Sequence, residues 1–219
     1  MNRRVQGQCC QRYAGNPSLL LCPIQKPVPT NFDAKAELRR LMRKRRGALD
    51  AREQAAAGLA LAQRVEQLDA WRHCSRVALY LPADGEIATD VIAARARAQA
   101  RQVFLPVLDG DQHLAFALWQ ADSPLQPNRF NIPEPPAGSA RCAVADLDIL
   151  CLPLVAWDSS GGRLGMGGGF YDRTLAGMTG PLLVGLAHGC QEVERVPRDD
   201  WDIELDYVAT DSALVDCRA

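Results

Sequence analysis

The sequence predicts an α/β protein built on a mostly parallel sheet. Three observations carry that prediction. Short apolar runs of strand length alternate with stretches of helical period. One run, residues 148–155 (DILCLPLV), is apolar almost throughout, as a strand buried on both faces should be. Pro and Gly punctuate the joins between runs. The chain has 219 residues, enough to enclose a sizeable core in one domain.

The elements follow in order. Residues 33–49 carry Leu38, Leu41, Met42 and Leu49 at helical spacing. Asp50 with Glu53 three residues later has the form of a capping box and announces a second helix, running through Leu59, Ala62, Val65 and Leu68 towards Trp71. Residues 77–81 (VALYL) read as a strand ending at Pro82, and Thr89 as the cap of a helix over residues 90–100. Residues 102–105 form a strand that Pro106 is expected to stop, and residues 113–119 another. After a proline-rich loop and the strand at 148–155 comes a glycine loop at 161–169, which leads into a short helix near Tyr171. Residues 182–187 and 207–210 supply the last strands.

Residues 1–32 differ from the rest. They hold four prolines and three of the eight cysteines, and no hydrophobic period lasts. They are expected to be a disordered or non-native extension, with residues 33–219 forming a single α/β catalytic domain. Lys plus Arg is 25 against 26 for Asp plus Glu, a formal net charge of −1, which argues against a general nucleic-acid or membrane-surface protein. No apolar run approaches the roughly 18 residues of a membrane span. The cysteines are sparse and lack metal-ligand spacing, so a reduced, cytoplasmic compartment is expected.

The most informative stretch is residues 159–173, SSGGRLGMGGGFYDR, with six glycines between 161 and 169. Glycines let main-chain N–H groups approach an anion closely, and consecutive N–H groups form a nest that favours phosphate; a following helix N-terminus adds to it. Arg163 can give an always-charged bidentate contact to phosphate oxygens. Asp172 puts a carboxylate beside that anion, which makes sense with Mg²⁺ between the two. The string is neither a Walker loop nor a dinucleotide fingerprint, since no Gly-Lys occurs and Phe170 stands at the third glycine place. A plain surface loop is the competing reading, and six glycines around an Arg and an acid speak against it.

Residues 35–46 hold seven basic side chains against one acid. At about 100° per residue, Lys35, Arg39, Arg43 and Arg46 share one sector that borders the apolar face, so they could line a cleft and reach a polyphosphate. On charge alone an ordinary solvated helix or a nucleic-acid patch is the stronger reading, and the lack of a matching basic surface elsewhere weakens it. Glu86 lies just past a strand, where ligands of α/β sheets bind, and its carboxylate could accept N–H donors from a heterocycle; taken alone, a solvated turn explains it better. Trp119, Phe130, Trp157 and Phe170 could stack on an aromatic ligand, although such residues are more often core. No Ser or Cys partner pattern surrounds His73, His113 or His188. Residues 190–211 are acidic, and one of Asp199, Asp200 or Asp202 is a weak candidate for a metal.

From about residue 35 to 211 the chain resembles the 5-formyltetrahydrofolate cyclo-ligase (methenyltetrahydrofolate synthetase) family. The hallmark is GGRLGMGGGFYDR at residues 161–173, supported by Lys35-x-x-x-Arg39, Tyr80-Leu-x-x-x-Gly-Glu-x-x-Thr89, Asn131-Ile-Pro-Glu-Pro135, Leu152-Pro-x-Val-Ala-x-Asp158 and Val208-Ala-Thr210. Trp157 stands where Phe is commoner. The resemblance implies a three-layer Rossmann-like sandwich, similar to the sugar-phosphate isomerase and CoA-transferase group. It implies ATP-driven cyclisation of 5-formyltetrahydrofolate, with or without a polyglutamate tail, by a monomer that needs neither nucleic acid nor membrane. Lys35, Arg39, Arg163, Leu164, Gly165, Met166, Gly167, Gly168, Gly169, Phe170 and Tyr171 would bind ATP, with Arg163, Lys35 and Tyr171 closest to the chemistry. Leu81 and Glu86 would contact the folate, with Trp119 and Trp157 as stacking partners, and Asp172 would hold Mg²⁺.

Overall fold

The computed structural model of the chain describes residues 31–110 and 112–218. The expected N-terminal extension lies outside these residues except for its last two. Asn31 and Phe32 are the first residues of the first helix. The Asn31 side-chain amide donates to the Arg198 carbonyl (3.1 Å) and to Asp199 Oδ1 (2.5 Å).

The helices are α1 (Asn31–Arg46), α2 (Ala51–Val65), α3 (Asp69–His73), α4 (Asp90–Ala98) and α5 (Phe170–Leu175). The Asp50 capping box forms in full: Asp50 Oδ1 accepts from the Glu53 N–H and Glu53 Oε2 from the Asp50 N–H, each at 2.8 Å. The second helix stops at Val65 and α3 carries the chain on to Trp71, where one continuous helix is expected from the sequence. Thr89 precedes α4 without capping it; its hydroxyl donates to the Tyr80 carbonyl instead (2.7 Å).

The strands are β1 (Arg76–Ala78), β2 (Gln102–Asp109), β3 (His113–Leu118), β4 (Gln126–Pro127), β5 (Pro133–Glu134), β6 (Arg141–Cys142), β7 (Ile149–Pro153), β8 (Ala156–Trp157), β9 (Arg163–Leu164), β10 (Leu182–Ala187), β11 (Tyr207–Thr210) and β12 (Leu214–Asp216). Eight of them form the central sheet in the order β12-β11-β10-β7-β1-β2-β3-β6. The run from β11 to β2 is parallel, and β3 and β12 pair antiparallel at its flanks. The mostly parallel α/β sheet is therefore as the sequence predicts. Pro106 does not end β2, because β1 pairs only as far as Phe104. By strand alternation, the N–H that Pro106 lacks would point to that unpaired side.

Strand alternation sorts the core onto two faces. Val77, Leu79, Val103, Ile149, Cys151, Val184 and Leu186 pack with α2, α3 and α4 on one face. Ala78, Phe104, Leu150, Leu152 and Val208 pack with Leu175 of α5, Trp157 and Leu205 on the other. Gly185 of β10 is where Leu205 and Leu154 close over the sheet: a Cβ there would lie 2.5 Å from Leu205 Cδ1. Five cysteines, Cys74, Cys142, Cys151, Cys190 and Cys217, are unpaired, and no helix among the described residues is long and apolar enough to cross a membrane.

Candidate active site

Beyond the carboxyl ends of β1 and β7 the chain forms the turn that carries Glu86 and the glycine loop. The glycine loop follows the short β8–β9 hairpin, whose turn is fixed by Asp158. This carboxylate is 1% exposed. Its Oδ1 accepts from the Ser160 N–H (3.0 Å) and hydroxyl (2.7 Å), the Gly162 N–H (3.0 Å) and the Arg198 guanidinium (2.8 Å); its Oδ2 accepts from the Val196 N–H (2.8 Å). Burial alone would raise its pKa, but these donors and the Arg198 charge hold it below the ordinary aspartate value. Gly162 is required here, because a Cβ would meet Asp158 Oδ2 at 2.4 Å and Arg198 Nε at 2.5 Å.

Beyond the hairpin, residues 165–169 form the loop itself. Gly167 and Gly169 have φ of 99° and 66°, conformations that suit glycine. Among the described residues the N–H groups of 165–169 find no acceptor. The following α5 has only six residues, so the loop amides and nearby guanidinium groups matter more than a helix dipole. Arg39 of α1 crosses to the loop: its Nε donates to the Gly165 carbonyl (2.9 Å), and its guanidinium lies where a Cβ on Gly167 would sit 3.4 Å away.

Arg163 is 7% exposed and donates from Nη2 to Asp172 Oδ1 (2.5 Å), while its own Nε has no partner among the described residues. Its guanidinium carbon lies 6.0 Å from the centre of the Tyr171 ring. Burial and then the Glu86 charge push the Tyr171 phenol far up, with the Arg163 charge opposing, so this phenol remains a proton donor throughout the physiological range. Burial also raises the Glu86 carboxyl, partly offset by the Ala83 N–H that its Oε2 accepts (3.1 Å). The same carboxylate acts on the buried Tyr80 phenol. Glu86, Tyr80, Tyr171 and Arg163 thus share one electrostatic environment.

The basic sector of α1 divides its work. Lys35 sits between two carboxylates, Asp199 Oδ2 (2.7 Å) and Asp202 Oδ2 (2.6 Å). Burial would lower its ammonium pKa; the two acids outweigh that and raise it. At the other end of α1, Arg43 and Arg46 both bind Asp84 Oδ2 (2.6 and 2.8 Å), and Arg46 Nε also donates to the Asp84 carbonyl (2.8 Å). One helix face therefore holds both the glycine loop and the turn that carries Glu86. That turn includes two left-handed residues, Asp84 and Gly85.

Other side chains cover both tryptophans expected to stack. Trp157 is 1% exposed within the core beneath the sheet and offers no face to a ligand. Trp119 hydrogen-bonds to the Val103 carbonyl at the amino end of β2, away from Glu86, and the Arg97 guanidinium covers its ring at 4.1 Å. Phe130 and Phe170, by contrast, form an edge-to-face pair (centroids 5.9 Å apart) beside the glycine loop, with Phe130 53% exposed. Leu81 follows β1 and packs partly buried on the core, Leu164 is buried in its hairpin, and Met166 is exposed at the loop tip. Asp172, the expected metal ligand, is engaged by Arg163 and by the Ile203 N–H (3.2 Å). Among the described residues no three His, Cys, Asp or Glu side chains converge as a metal cage.

The Asp158–Arg198 strap and the Arg46–Asp84 contact escape sequence reasoning. A buried acid in an apolar run at Asp158 was the available signal for the first. Nothing in the helical period distinguishes a buried Arg46 from an exposed one.

Known proteins match this arrangement over nearly the whole domain. Residues 31–211 match the family described as the 5-formyltetrahydrofolate cyclo-ligase family. The chain is 39% identical over 180 residues to 5-formyltetrahydrofolate cyclo-ligase of Haemophilus influenzae, covering 80% of this chain and 96% of that one. It is 39% identical over 181 residues to the Escherichia coli K12 protein of the same name, covering 80% and 98%. The solution structure of Aquifex aeolicus 5,10-methenyltetrahydrofolate synthetase superposes with a TM-score of 0.75 at 31% identity, covering 84% of this chain and 93% of that one. With the glycine loop, its arginines and the Glu86 turn drawn together as described, the chain belongs to the 5-formyltetrahydrofolate cyclo-ligase family.

Proposed function

We propose that the protein converts 5-formyltetrahydrofolate and ATP, with Mg²⁺, into 5,10-methenyltetrahydrofolate, ADP and phosphate. The observation that supports this most is the meeting at Arg163 of a nest of acceptor-free amides, the Arg39 guanidinium, the Tyr171 phenol and the Glu86 carboxylate. An anion-binding half and a heterocycle-binding half face one another there. The likeness to the sugar-phosphate isomerase and CoA-transferase group belongs to the same reading, as do a cytoplasmic location and a monomeric state. So does a small folate substrate, with or without a polyglutamate tail, as the partner in place of nucleic acid or membrane.

The chemistry explains the residues. N10 must attack the formyl carbon on N5, and the formyl oxygen must leave. As oxide or hydroxide it leaves poorly. Transfer of the γ-phosphoryl group onto that oxygen breaks the bond to ADP. N10 then closes the ring, the carbon–oxygen bond breaks, and phosphate departs with the oxygen and its electron pair; N10 gives its proton to solvent. Both nucleophiles belong to the substrate, so the enzyme needs to position and to neutralise charge.

The amides of 165–169 with Arg39, Arg163 and Lys35 are suited to the triphosphate, with Tyr171 donating its phenolic proton as a hydrogen bond. Lys35 would exchange an acid partner for a phosphate oxygen. Glu86 would accept the N–H groups of the pterin, Leu81 would pack beside it, and Phe130 with Phe170 offers an aromatic edge to a flat ring. Asp172, whose Oδ2 takes no hydrogen bond among the described residues, would hold Mg²⁺, which would supply neutralisation of charge on the transferring group.

The test is to follow methenyl absorbance after mixing protein, Mg²⁺, ATP and 5-formyltetrahydrofolate. Absorbance should rise only in the complete mixture, with one ADP formed per methenyl group. A rise that persists without ATP, or none at all, would overturn the reading.

A further inference from the structure

At the opposite end of the sheet lies a second cationic site that this chemistry does not use. A shallow, open depression of about 290 Å³ lies between the start of β2 and the end of β3, lined by Arg97, Arg101, Gln102, Val103, Leu118, Trp119 and Gln120. Two arginine–tryptophan stacks frame it. The Arg97 guanidinium lies 4.1 Å from the centre of the Trp119 ring, and that of Arg101 lies 4.3 Å from the Trp71 ring.

Among the described residues neither arginine has an acidic hydrogen-bond or ion-pair partner. Arg97 makes one hydrogen bond, to the Trp119 carbonyl (3.0 Å), and its Nε has none; Arg101 Nη1 is likewise buried without a partner among the described residues. The carboxylates nearby in the chain are engaged elsewhere. Asp148 accepts the Ser75 and Arg76 N–H groups (2.7 and 2.8 Å), and Glu66 binds Arg95 (2.5 Å). Two half-buried guanidinium groups without counter-charge are costly to hold together, and burial lowers the Arg97 pKa with nothing opposing it.

We infer that the depression framed by Arg97–Trp119 and Arg101–Trp71 binds a small organic carboxylate, unrelated to the cyclisation. Stacked guanidinium forks match carboxylate oxygens in two parallel hydrogen bonds. The apolar Val103, Leu118 and Trp119 in the lining suit a short carbon chain, and the Gln102 and Gln120 beside them suit a second polar group. An inorganic oxyanion would leave the apolar lining unused. The site is separate from the glycine loop: β7, which spans the sheet between the two ends, is five residues long, roughly 16 Å at 3.3 Å per residue.

Equilibrium dialysis of the full chain against radiolabelled glutarate tests this. One saturable site is expected, weakened about tenfold by Arg97→Gln and by Arg101→Gln, as for loss of a charge-assisted hydrogen bond. Turnover of the folate substrate should be unchanged in both variants. Arg101→Lys, which keeps the stem on Trp71 and the charge but loses the fork, serves if a Gln variant unfolds; it too should bind more weakly. Absence of saturable binding, undiminished binding in the variants, or displacement by inorganic phosphate at equal concentration would overturn the proposal. In those cases the arginines only shield their tryptophans.

Discussion

Arg163 lies between the glycine loop and the Tyr171 ring, the place where the proposed phosphate and folate sites would adjoin. It is buried, bound to Asp172 and short of one partner, so its charge is fixed in place before any ligand arrives. Preorganised charge aimed at a developing anion is worth more than the same charge in water. Arg163→Ala should lower kcat by about 10²-fold or more, and Arg163→Lys should recover only part of it because the fork is lost. A kcat near wild type for the alanine variant would remove the residue from its role. Glu86 makes the complementary case. Its folded pKa is raised by burial, so the stability linked to its protonated form is present below the usual glutamate range and is lost as pH rises through the folded value. Glu86→Gln should therefore raise Tm at pH 7.5 while raising KM for 5-formyltetrahydrofolate. Differential scanning calorimetry and initial rates read the two effects separately, and a lower Tm would show that the carboxylate is stabilising.

The glycine loop depends on a hairpin turn held by one buried carboxylate. Replacing Asp158 with Ala strands the Ser160, Gly162 and Val196 N–H groups at once and takes from Arg198 its buried acid, leaving it only the exposed Glu204. Loss of a buried, charge-paired acceptor of this kind costs about 3 kcal/mol. A urea midpoint shift of that size is expected, with no activity regained by added ATP if the loop has lost its shape. A variant as stable as wild type would show the turn to be self-supporting. The loop is legible as a candidate anion nest because its six glycines fall within nine positions of the chain. Its support is not, since Arg198 lies 40 residues from Asp158. The same physics separates the strand predictions. β3, β10 and β11 are legible from their apolar runs alone. The end of β2 depends on how far its neighbour β1 extends, which no local pattern records. Trp157 and Trp119 illustrate it at single positions: aromatic character is visible in a sequence, and which face of the sheet takes it is not.

Across the whole molecule, α1 is a rod whose one face reaches the acids at 199–202, the glycine loop and the turn before Glu86. Lys35 and Arg39 meet the acids at 199–202 and the glycine loop; Arg43 and Arg46 meet the turn before Glu86. Arg46 is wholly buried and also reaches the Leu154 carbonyl (3.4 Å) beyond β7, so it ties the helix to the sheet as well. Its removal should act on both halves unequally. Arg46→Met keeps much of the packing volume but leaves the Asp84 carbonyl and carboxylate without their buried donor, and a loss of about 3 kcal/mol in unfolding free energy is expected. The Glu86 turn lies next to the break and the glycine loop two helical turns away, so KM for the folate should rise more than KM for ATP. Acid should act on the same link. Arg43, then Arg46, hold the Asp84 pKa below its ordinary value, so the contribution of the pair is present above about pH 4 and is lost as pH falls through the lowered folded pKa. Stability of the wild-type chain should consequently decline with acid more steeply than that of Arg46→Met, in which part of the linkage is already gone. Parallel pH profiles for the two proteins, or equal rises in both KM values, would mean that α1 serves the two loops independently and does not couple them.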